Sequence, residues 1–569
     1  MNRIPTSIKR CGVLFLMLIA LWIDVVIAGE PLIAGYSRDE ALKLGERMYR
    51  EGILPSGEPM QAIVESDIPV EGTMFTCVSC HLRSGLGSNE GTVFTPPTNG
   101  AALYKPLPRG QGVIGAPKEQ LPKEYAGGDM RPAYTDKTLA MALLAGVDPE
   151  GRKLNDIMPR YMLSERDMEI MVFYLKNLSA EFSPGVTDTT LRFATVITDE
   201  VPQKDREAML APLTAYFRDR TSQSRHQEKR AKHGGPFLEE MYSSYRKIAL
   251  STWELKGAPE TWQSQLEAYY KKEPVFALAG GITTLGWDPI HRFCEQQKIP
   301  CIFPITDYPV ITETDWYTLY FSKGLYQEGE AVARYLRSLA DLPADAPVIQ
   351  VFRNTREGMV LSRAFRETMR KLGLPLPEDR ALSPGETATT EFWSKLADTY
   401  PAAILVVWLS PKDLDTIAAL AKSPHKPKMV FMAASLLDTA LSAVPEHIRP
   451  FTYIAYPYRL PRDKHRSRLV IENWLRIKKI PVTNFAIQSR MYFVGWMISE
   501  ALMMMQSDFY RDYFLDVIDM ANDQTYSIAV YPRVSFGPGQ RYAAKGCYIV
   551  QLTSGSTPEL IQKSDWVIH

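Results

Sequence analysis

Short apolar runs alternate with helical patterns over the last two thirds of the chain. Of the features of the sequence, this alternation constrains the fold most. Helical patterns separate most of the runs, as at Glu330–Leu339 and Ser362–Leu372. Strands that alternate with helices predict a parallel sheet covered on both faces. The length of the region predicts two such lobes. The apolar runs are Leu191–Thr198, Ile248–Trp253, Val275–Ala279, Cys301–Ile305, Val348–Phe352, Ala403–Trp408 and Met429–Ala433.

The first thirty residues differ in composition from the rest. Three basic residues lie in Met1–Arg10, an apolar run covers Cys11–Ile23, and Val26–Ala28 offers small or apolar residues for cleavage. This order predicts a secretory signal peptide over residues 1–28. The alternative is an uncleaved membrane anchor, but Asp24 interrupts the run short of the ~20 residues that a spanning helix needs. We therefore expect a periplasmic or otherwise exported soluble protein with no membrane span after cleavage.

The charge balance excludes two classes of partner. Basic and acidic residues are equal in number, at 65 each. No overall field therefore favours nucleic acid or an anionic membrane surface as the main partner.

A C-x-x-C-H motif lies at Cys77, Cys80 and His81. Two thiols on one helical turn can bond to the two vinyl groups of one porphyrin, and the next histidine can then ligate its iron. The alternatives are a thiol redox pair, which does not need the histidine, and half of a zinc site. No second C-x-x-C is present to complete four zinc ligands. The motif predicts one covalent c-type haem.

Met158 is the residue that we expect to fill the sixth position of the iron. It lies in a loop ahead of a helix that Ser164 is predicted to cap, with Asp167 three residues further on. A thioether from this loop can ligate iron. The alternative is that Met158 fills the core, as most of the 23 methionines do.

Residues 38–180 resemble a class I cytochrome c. The resemblance is carried by an opening helix with Gly45 and Tyr49, by C-x-x-C-H, by the Met158-Pro159 loop and by a closing helix with Phe173 and Tyr174. It implies an all-α domain in which the terminal helices cross and Met158 is the distal ligand. It also implies that a proline carbonyl, Pro96 or Pro97, accepts the ring N–H of the histidine ligand.

The region after a polar connector at residues 181–190 resembles the type I periplasmic binding proteins, the branched-chain amino-acid receptor group. The resemblance covers about residues 190–553. It is carried by the local sequences of Pro274–Gly281, Lys298–Pro304 and Tyr531–Tyr542, the last followed by Tyr548–Gln551. The sequence thus predicts a multidomain chain: an all-α cytochrome c domain over 30–180, a linker over 181–190, and an α/β two-lobed domain over 191–569.

The second resemblance implies a ligand between the two lobes, at the carboxyl ends of the strands. Hydroxyls and backbone N–H groups there suit a carboxylate or similar anion, so a small anionic or amino-acid-like ligand is expected. The alternative for each candidate is a solvated loop residue. No P-loop or G-x-G-x-x-G follows a strand, so nucleotide binding has no support. The candidate contacts are Thr283, Thr284, Thr306, Trp408 and Ser435.

Three cysteines fall in the second region. Cys294 and Cys301 are close enough in sequence for a local disulfide, and Cys547 could pair with either. The alternative is that Cys294 and Cys301 are buried thiols.

Two functions follow from these patterns. The leading expectation is an exported mono-haem cytochrome that transfers one electron to redox partner proteins and carries a fused small-molecule-binding domain. The alternative is a periplasmic solute receptor for an amino-acid-like ligand, with the cytochrome as an accessory redox module. An enzyme is not expected, because no second C-x-x-C-H and no G-x-S-x-G are present.

Overall fold

The computed structural model describes residues 31–65, 67–90, 93–108, 130–231, 245–339, 346–438, 440–463, 466–523, 525–526, 528–537 and 539–568. The chain divides into two compact units, Met1–Glu181 and Phe182–His569. The predicted signal peptide, residues 1–28, lies outside the described residues. No helix among those described combines the length and the hydrophobicity needed to cross a bilayer.

The first unit mixes helices with short antiparallel strands. Its helices are α1 (Arg38–Glu51), α2 (Cys77–His81), α3 (Gly100–Leu103), α4 (Asp136–Ala145) and α5 (Glu165–Asn177). Its strands are β1 (Gln61–Val64), β2 (Ile68–Glu71), β3 (Ser88–Glu90), β4 (Val93–Thr95), β5 (Leu107–Pro108), β6 (Met130–Arg131) and β7 (Arg160–Tyr161). The expectation of an all-α unit was wrong. The strands β1 and β2 pair as an antiparallel hairpin, β7 joins β1, and Ala62 of β1 packs in the core.

The two long helices α1 and α5 pack closely against each other. Ser37 caps α1 and Glu40 completes the capping box, so the start of this helix is fixed by its own sequence. A Cβ atom placed on Gly45 would lie only 2.4 Å from the Cβ of Tyr174 on α5. Glycine is therefore required where the helices meet, and the Tyr49 ring lies 5.5 Å from that of Tyr174.

The first lobe of the second unit is built on a parallel five-stranded sheet in the order β12–β11–β10–β8–β9. Four of the predicted apolar runs lie in or across β8 to β11. The strands β8, β10 and β11 are mostly buried because helices cover the sheet, whereas most residues of the edge strand β9 are half-buried or exposed. The strands are β8 (Thr190–Thr198), β9 (Lys247–Leu255), β10 (Ala277–Ala279), β11 (Cys301–Ile302) and β12 (Thr318–Leu319). The helices that follow them are α6 (Gln203–Ala231), α7 (Trp262–Lys272) and α8 (Asp288–Gln297).

The second lobe has a larger sheet in the order β14–β13–β15–β16–β17–β20–β21, with β22 paired to β20. Strands β13 to β17 are parallel, and β20 runs antiparallel to β17. The strands are β13 (Val348–Arg353), β14 (Glu378–Leu382), β15 (Ile404–Trp408), β16 (Met429–Ala433), β17 (Thr452–Tyr456), β20 (Gly546–Leu552), β21 (Leu560–Gln562) and β22 (Val567–Ile568). The helices are α9 (Leu325–Ser338), α10 (Arg356–Lys371), α11 (Thr390–Thr399), α12 (Ala419–Lys422) and α13 (Ala434–Leu437).

After β17 the chain returns to the first lobe. The helices α14 (Arg466–Ile477), α15 (Phe485–Met505) and α16 (Arg511–Asp519) follow, and then the paired strands β18 (Thr525–Tyr526) and β19 (Val534–Ser535). Helix α15 packs on α6. Three stretches thus connect the lobes, and two of them run side by side, because the amides of Ala543 and Ala544 donate to the carbonyls of Tyr320 and Phe321 at 3.0 and 2.7 Å.

Candidate functional site

A cavity lies between the two lobes of the second unit. Segments that follow β11 and β12 in the first sheet, and β16 and β17 in the second, supply most of its wall. Its volume is about 30 Å³, which is room for about two water molecules. The lining residues are Pro304, Ile305, Thr306, Asp307, Tyr320, Phe321, Ser322, Gly324, Ser435, Pro457, Tyr458, Arg490 and Tyr531.

Two of the five predicted ligand contacts, Thr306 and Ser435, line this cavity. The Thr306 hydroxyl accepts a hydrogen bond from the amide of Tyr308 at 3.1 Å, which leaves its proton free to donate. The Ser435 hydroxyl shares a 3.2 Å hydrogen bond with the hydroxyl of Tyr458. The fold brings these two residues together, although they lie in different lobes.

Thr283 and Thr284 hydrogen-bond to a carboxylate of the protein itself. The hydroxyl of Thr283 and the amide of Thr284 donate to Oε1 of Glu200 at 2.9 and 3.0 Å, and the hydroxyl of Thr284 lies 3.3 Å from the same atom. Desolvation raises the pKa of Glu200, but these bonds and one from Thr198 outweigh it and lower the pKa. In place of the anionic ligand that the sequence predicts, the two threonines thus direct these donors to Glu200.

Trp408 also has a structural place. Its side chain is 1% exposed, and its indole N–H donates to Oε1 of Gln350 at 2.8 Å. The ring packs edge-on against Phe365 in the core of the second lobe. Trp408, which the sequence predicts as a ligand contact, thus lies in the core and is not part of the cavity wall formed by the described residues.

Arg490 is a lining residue that the sequence analysis missed. Its guanidinium lies 5.9 Å from the ring centre of Phe321 and 5.4 Å from that of Tyr531. Its Nε is buried and has no hydrogen-bond partner. A signal was present in the sequence, because Arg490 and Glu500 are the two charged residues in the 21-residue apolar helix α15. A lone cation in such a helix indicates a specific role.

Glu328 lies directly behind the cavity wall. It is fully buried on α9, and its Oε2 accepts a 3.2 Å hydrogen bond from the amide of Ser435, while Oε1 has no partner. Burial raises the pKa of Glu328 to about 8, although bonds from Ser435 and Ala434 oppose the rise. The carboxyl is therefore mostly neutral near pH 7, and it adds little negative charge beside the cavity.

In the first unit, helix α2 places Cys77, Cys80 and His81 on little more than one turn. The Nδ1–H of His81 donates to the carbonyl of Pro96 at 2.9 Å, so Pro96 is the acceptor among the two expected prolines. Burial lowers the pKa of His81 to about 4, and the bond to Pro96 opposes this. The ring is thus neutral near pH 7, with its Nε2 lone pair available to a metal.

The thiols of the motif differ in exposure. Cys77 is buried and its Sγ lies 3.9 Å from the hydroxyl of Tyr161, whereas Cys80 is exposed. Burial raises the pKa of Cys77 to about 11. Met158 lies in a turn with Asn155 and packs, partly buried, against the core of the unit. No group of three or more His, Cys, Asp or Glu side chains in the described part of the chain could hold a metal ion.

The remaining cysteines are thiols in the second unit. Cys294, Cys301 and Cys547 are all free and buried. Burial, and then a hydrogen bond with Cys301, raises the pKa of Cys294 well above its ordinary value. Of the two alternatives for these residues, the structure therefore contains thiols.

Comparisons with known proteins identify the second unit. A family model described as "Periplasmic binding protein" matches residues 245–556, more than half of the chain. A search of curated proteins found no match.

Three solved structures illustrate the likeness. A branched-chain amino acid ABC transporter protein from Thermus thermophilus with bound valine is 12% identical, with 67% of this chain and 97% of that chain covered and a TM-score of 0.46. A solute-binding protein from Rhodopseudomonas palustris BisB5 in complex with 3,4-dihydroxy benzoic acid is 13% identical, with 67% and 98% covered and a TM-score of 0.45. A fatty acid ABC transporter substrate-binding protein from Thermomonospora curvata is 16% identical, with 68% and 95% covered and a TM-score of 0.40.

These findings correct the leading functional expectation. The expectation of a one-electron carrier was wrong, because the matched family is one of ligand receptors, and the match supports the alternative of a solute receptor. Since the matched residues span more than half of its length, the chain belongs to the periplasmic binding protein family.

Proposed function

We propose that the second unit binds a small, amino-acid-like solute in the cavity between its two lobes. The observation that carries this proposal is the cavity wall, where polar side chains from both lobes, including Thr306 and Ser435, surround one space. Members of this family are ligand receptors and not enzymes, which agrees with the expectation from the sequence. We place the mature protein outside the cytoplasm, because the family and the predicted signal peptide both favour export.

The lobes must separate to admit such a ligand. A volume of about 30 Å³ accommodates a group the size of a carboxylate, whereas a whole amino acid needs more space. The lobes are joined by narrow crossing stretches, of which Tyr320–Phe321 and Ala543–Ala544 pair directly. Hinges made of a few such residues allow two lobes to open and close around a ligand.

Isothermal titration calorimetry of the full exported chain with the twenty L-amino acids tests this function. We expect at least one of them to bind. Ser435→Ala removes a hydroxyl from the cavity and should weaken that binding by about 3–10-fold. Ser556→Ala, in an exposed loop, is the matched control and should leave it unchanged. A protein that binds none of the twenty would contradict the proposal.

A second proposal concerns the first unit and rests on a different observation. We propose that Cys77 and Cys80 would hold one covalent c-type haem and that His81 would be a ligand of its iron. The hydrogen bond from His81 Nδ1–H to Pro96 supports this, because it fixes the tautomer that presents Nε2 to a metal. A haem bound there would supply an iron centre, and Met158 is predicted to be its second protein ligand. This proposal does not make the protein an electron carrier.

Intact-mass measurement of the exported protein, together with its optical spectrum, tests the haem proposal. We expect the added mass of one haem in the wild type and no added mass in Cys77→Ser/Cys80→Ser. The pair Cys294→Ser/Cys301→Ser is the control and should keep the haem. Loss of the methionine–iron absorption band in Met158→Ala would support Met158 as a ligand. A wild-type chain with the bare polypeptide mass and two free thiols at the motif would refute the proposal.

A further inference from the structure

We propose that Arg490 binds the carboxylate group of the ligand, so that the cavity selects small monocarboxylates over their uncharged analogues. This inference rests on the proposed solute-binding function and names the residue that sets its chemistry. The anion site is thereby assigned to Arg490 on α15 and not to Thr283 and Thr284, which follow β10.

The state of Arg490 is the first observation. Its Nε is buried and has no hydrogen-bond partner, and the guanidinium makes no ion pair with a carboxylate of the described residues. Tyr531 is the residue that does hydrogen-bond to it. Desolvation opposes the charge of Arg490, whereas Tyr531, Tyr458 and the carboxylate of Asp307 stabilise it. Asp307 does so without forming an ion pair, so a carboxylate in the adjoining cavity can still pair with the guanidinium and reduce its desolvation cost.

The aromatic rings around Arg490 restrict where its free donors can point. Phe321 and Tyr531 lie within 6 Å of the guanidinium and stack on each other with ring centres 5.9 Å apart. Contact with aromatic rings holds the planar fork in place, and this lowers the entropy that binding would otherwise cost. A planar guanidinium held in this way suits the planar carboxylate group.

The alternative anion site in the first lobe is closed. Glu200 accepts three hydrogen bonds from Thr283 and Thr284. A ligand carboxylate would have to displace Glu200 and would be repelled by its charge. Arg490 therefore remains as the cation that faces the space between the lobes.

The charges of the wall suit a ligand with one carboxylate, which would face Arg490, and a donor group, which would face Asp307. The described lining contains one cation, Arg490, and one carboxylate, Asp307, and the Glu328 carboxyl behind Ser435 is mostly neutral. A monocarboxylate matches one guanidinium, whereas a phosphate dianion or a dicarboxylate would bring a second charge with no cation for it. Asp307 is exposed and can accept a hydrogen bond from an ammonium or hydroxyl group of the same ligand.

Calorimetry with paired probes tests this inference on the full chain. The probes are each L-amino acid that binds, its carboxamide, sodium acetate and inorganic phosphate. We expect the carboxamide to bind about 30-fold more weakly than the acid, and acetate to bind where phosphate does not. Arg490→Gln should weaken the acid by about 30-fold or more and leave the acid and the amide nearly equal. Arg363→Gln is the matched control, because Arg363 lies 5.8 Å from the ring of Tyr326 but outside the cavity wall.

The outcomes separate this inference from the proposed function. If an amino acid binds equally well to the wild type and to Arg490→Gln, the function stands and the role of Arg490 is refuted. If no amino acid binds but acetate binds and depends on Arg490, the inference stands and the amino-acid function fails. If neither acetate nor any amino acid binds, both are refuted. Melting curves of Arg490→Gln confirm that the variant is folded, and Arg490→Lys, which keeps the charge, should retain part of the affinity.

Discussion

The segments that follow β10 and β11 both present polar side chains at the carboxyl edge of the first sheet, but only the second is open to a ligand. Thr283 and Thr284, after β10, give their donors to Glu200. Thr306 and Asp307, after β11, line the cavity between the lobes. The residue types are alike and the positions in the fold are equivalent. The difference shows that a strand-end hydroxyl is available to a ligand only where the protein has not already used it.

Trp408 extends the same comparison to the second lobe. It ends β15 at the carboxyl edge, where a ligand contact was expected, yet Gln350 takes its indole N–H and Phe365 packs on its ring. Here too, a hydrogen bond inside the protein occupies the donor of a residue that was predicted to contact the ligand.

The largest expected effect tests whether Trp408 belongs to the core. Trp408→Ala should lower the free energy of unfolding by about 3–5 kcal/mol, because it leaves a large cavity beside Phe365. Denaturant unfolding gives this value, and Trp408→Phe, which keeps most of the volume, should cost clearly less. A ligand contact would behave differently: affinity would fall while the free energy of unfolding stayed near the wild-type value.

The next effect concerns the pH dependence of stability through Glu328. Its folded pKa of about 8 lies above the unfolded value of 4.5. Below pH 4.5 the wild type is as stable as a variant whose side chain is always neutral. Above pH 4.5 its free energy of unfolding falls relative to that variant, and the fall is complete once the pH has risen through about 8. Glu328→Gln should therefore gain about 2–4 kcal/mol over the wild type between pH 5 and pH 9. The surface variant Glu260→Gln should show no such gain, and parallel curves for wild type and Glu328→Gln would exclude a buried neutral carboxyl.

The smallest effect sharpens the comparison between β10 and β11. Glu200→Gln removes a charge but keeps an acceptor for Thr283 and Thr284, so we expect a loss of about 1 kcal/mol in the free energy of unfolding. Amino-acid affinity should change by less than about twofold, since Glu200 does not line the cavity. Thermal unfolding and calorimetry measure the two quantities. A tenfold change in affinity would show that the threonine group does contribute to the site.

Features that depend on interactions between residues close in sequence could be predicted, whereas features that depend on contacts between distant residues could not. The runs at Val348–Phe352 and Met429–Ala433 became β13 and β16, because buried parallel strands need continuous apolar sequence. The hairpin of β1 and β2 was missed, since four-residue strands carry little periodic signal and the resemblance suggested helices alone. Arg490 was visible as a charge in an apolar helix, but nothing in the sequence tells that Ser435 and Asp307 lie at the same cavity.

The sequence alone determined the features that depend on neighbours along the chain. Spacing placed Cys77, Cys80 and His81 on little more than one helical turn, and Ser37 with Glu40 determined where α1 begins. Tertiary structure decided which polar groups remain free, because hydrogen-bond partners such as Glu200 for Thr283 and Gln350 for Trp408 are far apart in sequence. A ligand site consists of groups left unsatisfied once the fold is complete, and only the packed structure settles which groups those are.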